Sequence, residues 1–209
     1  MNGFFVTGTD TGVGKTVLSA LLVAALDAFY WKPIQTGVIE GTDRSTVRRL
    51  AAPPEERLLP ESYRFDLPVS PHLAAREAGV RIDLDSLTFP QTTEDRLWIV
   101  EGAGGAMSPI NECALMLDLM RHLGLPVVVA ARTSLGTINH TLMTLAALRE
   151  ARLTIRGVVM IGACNNENRS AIEHYGNVRI IGHIPVLEQI DRAKLLDVFE
   201  KHFDRGVFQ

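Results

Sequence analysis

The sequence predicts an α/β protein with three layers, in which a mainly parallel sheet is flanked by helices on both faces. Short runs rich in β-branched residues alternate with stretches of helical periodicity, a pattern typical of parallel βαβ units. Within each run the apolar residues are consecutive, as expected for strands that are buried on both sides. The predicted strands are residues 4–7, 97–100, 127–131, 158–161 and 179–184.

Three stretches between these runs are predicted to form helices that cover the sheet. Residues 15–29 carry Val and Leu at helical spacing, and residues 137–151 continue a helical pattern after the third predicted strand. Residues 114–123 end at Gly124, a residue suited to a helix C-terminus.

Residues 53–90 differ from the rest because they contain most of the prolines. We predict turns and one helix, at residues 72–79, in an irregular excursion over the edge of the sheet. Loops in such positions often bind substrate, so this stretch is interpreted as a substrate-binding segment and not as a second domain.

Length and composition favour one domain over residues 1–209, because 209 residues with 46% apolar side chains can bury a continuous core. The net charge of −3, with no run of lysines and arginines, argues against nucleic-acid binding. No signal-peptide or membrane-spanning pattern is seen, so a cytoplasmic protein without membrane contact is expected. Cys113 and Cys164 are expected to be buried, reduced thiols, since they fit neither a zinc site nor a disulfide framework.

The strongest local signal is the segment GTDTGVGKT at residues 8–16, between a predicted strand and a predicted helix. Such a turn wraps a phosphate with backbone N–H groups, while Lys15 reaches the outer phosphates and Thr16 offers its hydroxyl to Mg²⁺. Five residues separate Gly8 from Gly14, one more than in the regular P-loop pattern. The alternative, a glycine-rich turn without a ligand, leaves Lys15 and Thr16 unexplained. Asp10 stands where partitioning and septum-site ATPases carry a signature lysine.

Further polar residues follow predicted strands, at the sheet edge where ligands bind in open α/β folds. Glu101 ends one strand and precedes the segment GAGG, so its carboxylate is a candidate magnesium ligand. Lys32, after a probable second strand, is a candidate partner of Lys15 in neutralising a phosphoryl group. The alternatives are an exposed loop glutamate and a surface lysine. For Asp43 the local pattern favours a helix N-cap.

A second glycine-containing helix start lies at residues 134–140. Its N–H groups are suited to an anion such as a substrate carboxylate, and an ordinary capped helix is an equally supported interpretation. His140 and the other histidines show no metal-ligand spacing and are interpreted as structural.

Six segments taken together resemble the dethiobiotin synthetase family, in order and spacing over nearly the whole chain. They are GTDTGVGKT at 8–16, KPIQTG at 32–37, SPH at 70–72, EGAGG at 101–105, GTINH at 136–140 and GHIP at 182–185. The resemblance implies a P-loop NTPase fold and an ATP- and Mg²⁺-dependent ligase. In the implied reaction, an amine of 7,8-diaminononanoate captures CO₂ as a carbamate. ATP phosphorylates the carbamate, and the second amine closes the ureido ring of dethiobiotin.

The resemblance also implies residue roles. Lys32, Lys15 and Thr11 would be catalytic, and Thr16, Asp43 and Glu101 would hold Mg²⁺, which replaces the N-cap interpretation of Asp43. The implied nucleotide-binding residues are Gly12, Val13, Gly14, Lys15, Thr16, Val17, Glu101, Gly102, Ala103, Gly104 and Pro185. The implied substrate-binding residues are Thr11, Lys32, Thr36, Gly136, Thr137 and Asn139. The last three would come from the partner subunit of a homodimer.

Two departures from the family pattern are visible. The stretch before Tyr30 is short, which predicts a trimmed second strand. Ile161 and Gly162 stand where the family often has an adenine-reading asparagine, so Asn165, Asn166 or backbone groups near Pro185 are alternative contacts for the base. Two other functions fit a P-loop: an amide synthetase of cobalamin assembly, which usually carries a glutaminase domain, and a nucleotide-dependent switch protein.

Overall fold

The computed structural model describes residues 2–91 and 94–208 of the chain. Its strands are β1 (Gly3–Gly8), β2 (Phe29–Trp31), β3 (Ile34–Thr36), β4 (Tyr63–Phe65), β5 (Trp98–Gly105), β6 (Val127–Arg132), β7 (Ile155–Ile161) and β8 (Ile180–Ile184). Six of them form one parallel sheet in the order β2-β5-β1-β6-β7-β8, and β3 pairs with β4 in a second, two-stranded parallel sheet. The carboxyl ends of the six strands therefore share one edge.

The helices are α1 (Lys15–Leu26), α2 (Asp43–Ala51), α3 (Pro71–Glu77), α4 (Met116–Leu123), α5 (Thr137–Glu150), α6 (Asn166–Gly176) and α7 (Arg192–His202). Short 3-10 turns lie at Val38–Glu40, Glu55–Arg57 and Arg205–Phe208. None of the helices in residues 2–91 and 94–208 combines the length and the hydropathy that a membrane span requires.

Two buried clusters lie on opposite faces of the six-stranded sheet. One contains side chains of α3, α4, α5 and α6, and the other contains side chains of α1, α2 and α7. Successive strand residues alternate between them: Phe5 packs into the first cluster, and Phe4 and Val6 pack into the second. This alternation explains the uninterrupted apolar runs, because both faces of each strand are covered. The predicted three-layer α/β fold is confirmed.

Several boundaries differ from the predictions. The helix predicted over residues 15–29 ends at Leu26, since Asp27 adopts a left-handed conformation with φ of 53° and Phe29 begins β2. The predicted second strand exists and has only three residues. Strand β5 continues through Gly105, so Glu101 lies inside the strand and not in a loop.

Burial of the two cysteines was predicted wrongly. Cys113 and Cys164 are both free thiols and both exposed, because each lies in a connection that follows a strand and not in a core element.

The excursion predicted over residues 53–90 contains β4 and α3. Strand β4 pairs with β3, which follows β2 after Pro33, so the excursion is joined to the edge of the sheet that carries Lys32. Phe65, Ala74 and Ala75 add to the first buried cluster.

Candidate active site

Residues 9–14 form the loop between β1 and α1, and two of its glycines have the positive φ angles of a tight turn. Gly12 and Gly14 have φ of 69° and 102°, conformations that favour glycine. A Cβ on Gly14 would also lie 2.9 Å from Ile161 Cδ1. Lys15 is buried and donates from Nζ to the carbonyl of Asp10 at 2.9 Å, so its ammonium is held across the loop.

Three oxygen-bearing side chains from distant parts of the chain meet at the start of α1. The hydroxyl Oγ1 of Thr16 lies 2.8 Å from Asp43 Oδ1 and 2.9 Å from Glu101 Oε1. The single hydroxyl proton can serve only one of these acceptors at a time. The arrangement therefore leaves a surplus of oxygen acceptors beside the phosphate loop.

The ammonium of Lys32 lies between the two carboxylates. Its Nζ is 2.6 Å from Asp43 Oδ2 and 3.1 Å from Glu101 Oε1, and it also donates to the carbonyl of Gly102 at 3.4 Å. Lys32 is only 5% exposed, so it is not the surface lysine that the alternative interpretation required. Glu101, at 1% exposure, is likewise not a solvated loop residue.

Thr42, and not Asp43, caps helix α2. The Thr42 side chain accepts from the N–H of Ser45, and Ser45 Oγ accepts from the N–H of Thr42. The local N-cap interpretation of Asp43 is wrong because the preceding threonine takes that role. The Asp43 carboxylate is therefore free to face Thr16 and Lys32.

Two residues without a predicted role support this cluster. Tyr30 is fully buried and donates its phenol to Glu101 Oε2 at 3.0 Å. Gln35 accepts from the N–H of Asp43 at 3.0 Å and donates to the carbonyl of Thr36 at 2.8 Å. The sequence offers one signal for Tyr30: as the second residue before Lys32 it shares a strand face with that lysine.

The site brings two lysines and two carboxylates together in a largely buried space, and their pKa values shift accordingly. Burial and the charge of Lys32 lower the pKa of Lys15 to about 8. Burial disfavours the charged form of Lys32, but the carboxylates of Glu101 and Asp43 outweigh it and raise the pKa of Lys32. Burial also acts against ionised Asp43, yet Lys32 and the hydrogen bonds from Lys32 and Thr16 lower its pKa.

The donor set fits Mg²⁺. Hydroxyl and carboxylate oxygens are hard ligands, and Mg²⁺ is usually held by one or two carboxylates together with substrate phosphates and water. No group of three or more His, Cys, Asp or Glu side chains suited to a metal occurs in residues 2–91 and 94–208. The oxygens of Thr16, Asp43 and Glu101 suit an ion that completes its coordination with phosphate and water.

A cavity of about 340 Å³ opens over this cluster. Its lining includes most of the predicted catalytic, metal and nucleotide residues and the substrate residue Thr36: Thr11, Gly12, Gly14, Lys15, Thr16, Val17, Lys32, Thr36, Asp43, Glu101, Ala103 and Gly104. Val13 lies under the loop and is buried, and Gly102 contributes its carbonyl to Lys32. Pro185, Gly136, Thr137 and Asn139 do not line this cavity.

Two further cavities adjoin the first. One of about 570 Å³ shares Thr11, Thr36 and Asp43 with it and extends to Ser70 and Pro71 in the excursion. The other, of about 590 Å³, lies on the opposite side of Thr11 and is lined by Met107, His140 and Met143 among others. His140, for which the sequence predicts a structural role, is exposed and faces this space.

The start of α5 is fixed by the backbone conformation of Gly136 and by side-chain hydrogen bonds. Gly136 has φ of 92°, and the buried Thr137 donates from Oγ1 to the carbonyl of Arg132 at 2.5 Å. The Arg132 guanidinium in turn donates to the carbonyl of Thr11 at 2.9 Å. Asn139 is exposed. The predicted anion-binding helix start is therefore tied to the phosphate loop through Arg132.

The region expected to contact the base surrounds the end of β7. Ile161 packs toward Gly14, and the carbonyl oxygen of Gly162 accepts a hydrogen bond from His183 Nε2 at 2.8 Å. Asn165 caps α6 by accepting from the N–H of Asn168. Asn166 is exposed at the start of that helix, and Pro185 is half-buried after β8.

Comparison with known proteins decides the family. A family model described as AAA domain matches residues 2–194. The ATP-dependent dethiobiotin synthetase of Paramagnetospirillum magneticum is 56% identical over 195 residues, which are 93% of each chain. The chain belongs to the dethiobiotin synthetase family. The dethiobiotin synthetase of Rhodopseudomonas palustris strain BisA53 is 47% identical and covers 97% of this chain and 94% of that protein.

A solved structure supports the fold of this dethiobiotin synthetase family member. The ParA family ATPase from Chlorobium tepidum aligns over 96% of this chain and 92% of its own with a TM-score of 0.50 at 14% identity. This likeness shows the P-loop fold alone. The predictions of the family, of the P-loop fold and of an ATP-dependent ligase are thus confirmed.

Proposed function

We propose that the chain joins CO₂ to 7,8-diaminononanoate and closes the ureido ring of dethiobiotin, with conversion of ATP to ADP and phosphate. The observation that carries this proposal is the cluster of the buried Lys32 and Glu101 with the half-buried Thr16 and Asp43 beside the phosphate loop. That cluster combines a cation for developing negative charge with oxygen ligands for the metal that accompanies ATP. The relatives that share nearly the whole chain are named dethiobiotin synthetases.

The proposed reaction has three covalent steps. One substrate amine attacks CO₂ and loses a proton, giving a carbamate. A carbamate oxygen attacks the γ-phosphorus, the bond to the β-phosphate oxygen breaks, and ADP leaves with that electron pair. The second amine then attacks the carbonyl of the carbamic-phosphoric anhydride, phosphate leaves, and the ring closes with loss of a proton. ATP thereby converts a poor leaving oxygen into a good one.

Lys15 and Lys32 are assigned to charge stabilisation. Both lie at the first cavity, and Lys32 keeps its proton because two carboxylates raise its pKa. The second cation, Lys15, is in place to neutralise the outer phosphates. Thr11 and Thr36 are assigned to orienting the diamine and its carbamate, and this assignment is supported by their position in the lining of both the first cavity and the 570 Å³ cavity.

Mg²⁺ is assigned to Thr16, Asp43 and Glu101, where it would neutralise phosphate charge during transfer. Nucleotide contacts are assigned to the phosphate loop, to the β5 segment that lines the same cavity, and to Pro185 near the base. In that assignment, Gly12, Val13, Gly14 and Val17 belong to the loop and the start of α1, and Gly102, Ala103 and Gly104 belong to β5.

A homodimer is part of this proposal, with Gly136, Thr137 and Asn139 of one subunit holding the carboxylate tail of substrate bound to the other. Support comes from exposed apolar side chains near the start of α5: Leu135 and Met143 are 104% and 63% exposed, and Met107 across the cavity is 57% exposed. A surface of this kind is typical of a protein interface. The proposed compartment is the cytoplasm, where ATP and CO₂ are both available.

The test is phosphate release from Mg²⁺·ATP and bicarbonate, with and without 7,8-diaminononanoate, followed by mass spectrometry of the product. Diamine-dependent release together with the mass of dethiobiotin is expected. Thr16→Val should abolish release, while Thr154→Val, at an exposed position directly before β7, serves as the matched control for the same substitution. Release that ignores the diamine would contradict the proposal and favour a nucleotide-dependent switch protein.

A further inference from the structure

Tyr30 is the one tyrosine whose ring and hydroxyl are both enclosed by the described core. It is fully buried on β2 and packs in the same cluster as Ile99 of β5. Its two neighbours along the strand, Phe29 and Trp31, are large aromatic residues without a hydroxyl. Packing alone would accept phenylalanine here, so the buried hydroxyl needs a separate explanation.

Strand register supplies that explanation. Tyr30 pairs with Ile99 of β5. Glu101 is the second residue after Ile99, so the side chains of Ile99 and Glu101 lie on the same face of β5. Lys32 is the second residue after Tyr30 and follows the same face of β2. The phenol therefore reaches along the sheet to Glu101 from one side while the Lys32 ammonium reaches it from the other.

The two oxygens of Glu101 are divided between different partners. Oε2 accepts the phenol hydrogen of Tyr30 at 3.0 Å. Oε1 faces the hydroxyl of Thr16 at 2.9 Å and the ammonium of Lys32 at 3.1 Å. A carboxylate held at one oxygen by a fixed donor cannot rotate freely about its last torsion, so the other oxygen is kept facing the cavity.

We propose that Tyr30 is a positioning residue that fixes the Glu101 carboxylate so that Oε1 is presented to the metal of the nucleotide complex. The inference rests on the proposed function, since it takes Glu101 as a metal ligand. Donors behind a metal ligand of this kind orient it, and their loss typically weakens metal affinity or activity by about 10- to 100-fold. Tyr30→Phe removes the donor and keeps the ring, so it isolates the hydroxyl.

The experiment measures binding of Mn²⁺ to the ADP complex of the full chain by electron paramagnetic resonance. Tyr30→Phe is expected to weaken Mn²⁺ binding by about 10- to 100-fold while its affinity for metal-free ADP stays within twofold of the wild type. Tyr175→Phe, the same change at a site 72% exposed on α6, should leave both affinities unchanged. If Tyr30 had only a structural role, Tyr30→Phe would not weaken Mn²⁺ binding more than it weakens binding of metal-free ADP.

A double-mutant cycle with Glu101→Gln sharpens the test. If Tyr30 acts through Glu101, adding Tyr30→Phe to Glu101→Gln should cause less than a twofold further loss of Mn²⁺ affinity. Equal Mn²⁺ affinity of Tyr30→Phe and wild type would overturn the inference alone. Equal Mn²⁺ affinity of wild type, Thr16→Val and Glu101→Gln would overturn the metal site of the proposed function as well.

A second measurement does not depend on the folding of Tyr30→Phe. The chain labelled with 3-fluorotyrosine gives ¹⁹F resonances for Tyr30, Tyr63 and Tyr175. The resonance that disappears in Tyr63→Phe belongs to Tyr63, the one that disappears in Tyr175→Phe belongs to Tyr175, and the remaining one belongs to Tyr30. Addition of Mg²⁺ to the ADP complex is expected to shift the Tyr30 resonance and to leave that of Tyr175 in place. A Tyr30 resonance that does not move would contradict the inference.

Discussion

Replacement of Lys32 by methionine removes the only ammonium that lies between Asp43 and Glu101 in the described site. Lys32 Nζ is 2.6 Å from Asp43 and 3.1 Å from Glu101, and the lysine is 5% exposed. Methionine keeps an unbranched, apolar chain in the same space. The variant therefore loses a charge at the site of the proposed phosphoryl transfer while packing is largely kept.

The structure sets two magnitudes for Lys32→Met. Loss of one partner from a buried ion pair costs about 3–5 kcal/mol of folding free energy, and the lower end applies because the Asp43 side chain is 29% exposed and can be hydrated. Loss of one preorganised donor to developing charge slows the chemical step by about 10²- to 10³-fold. ATP should still bind, since Lys15 and the phosphate loop remain.

The assay is single-turnover phosphate release with bicarbonate and the diamine, beside a nucleotide-binding titration. Mg²⁺ should also raise the melting temperature of Lys32→Met more than that of wild type, because the two carboxylates are then left without Lys32 as their counter-charge. Lys201→Met, a surface substitution on α7, is the control. Turnover within tenfold of wild type by a folded Lys32→Met protein would refute the reasoning.

Three further outcomes are expected. The affinity for ATP should fall as pH rises above about 8, because Lys15 in the free enzyme loses its proton there and bound phosphates favour the protonated form; a flat profile between pH 7 and 9.5 would contradict this. Gly14→Ala should lower the free energy of unfolding by about 1–3 kcal/mol, because φ at this position is 102°, and should also weaken ATP binding. Gly79→Ala, with φ of 66° and open space around it, should lower the free energy of unfolding in urea without changing ATP binding. Thr42→Ala should destabilise the protein by about 1 kcal/mol through loss of the α2 cap, and Thr46→Ala, within the helix, should cost less; equal urea midpoints for the two would argue against the cap.

The features of the fold and site that can be predicted from the sequence are those formed by residues close together in the chain. The phosphate loop is predictable because its glycines, lysine and threonine are close together in sequence, and the strands are predictable because burial on both faces leaves unbroken apolar runs. Glu101 is predictable because it directly follows such a run. Its position inside β5 is not, since small residues such as Gly102 carry little strand preference.

The rest depended on contacts between distant segments. Local pattern favoured a cap at Asp43, whereas Thr42 forms the cap and Asp43 faces Thr16 across 27 positions of the chain. No role is predicted for Tyr30 from the sequence, because its hydroxyl reaches Glu101 only through the register of β2 against β5. Exposure of Cys113 likewise could not be read from composition, because it depends on how the connection after β5 crosses the surface.

The resemblance to a family supplied roles that neither local pattern nor distances alone provide. The structure brings Asp43 and Glu101 each within hydrogen-bonding distance of the Thr16 hydroxyl, as a shared metal site requires. The assignment of these residues to Mg²⁺, and of the α5 start to a partner's substrate, stays a prediction that the binding measurements address.

The most direct test of the account follows labelled oxygen and carbon through one turnover. With fresh ¹³C,¹⁸O-bicarbonate, the diamine and Mg²⁺·ATP, transfer of the γ-phosphoryl group to a carbamate oxygen predicts dethiobiotin with ¹³C at its ureido carbonyl. It also predicts one ¹⁸O in the released phosphate. Phosphate that takes its new oxygen only from water, with no ¹³C in the product, would contradict the central claim that the cluster at Lys32 phosphorylates a carbamate.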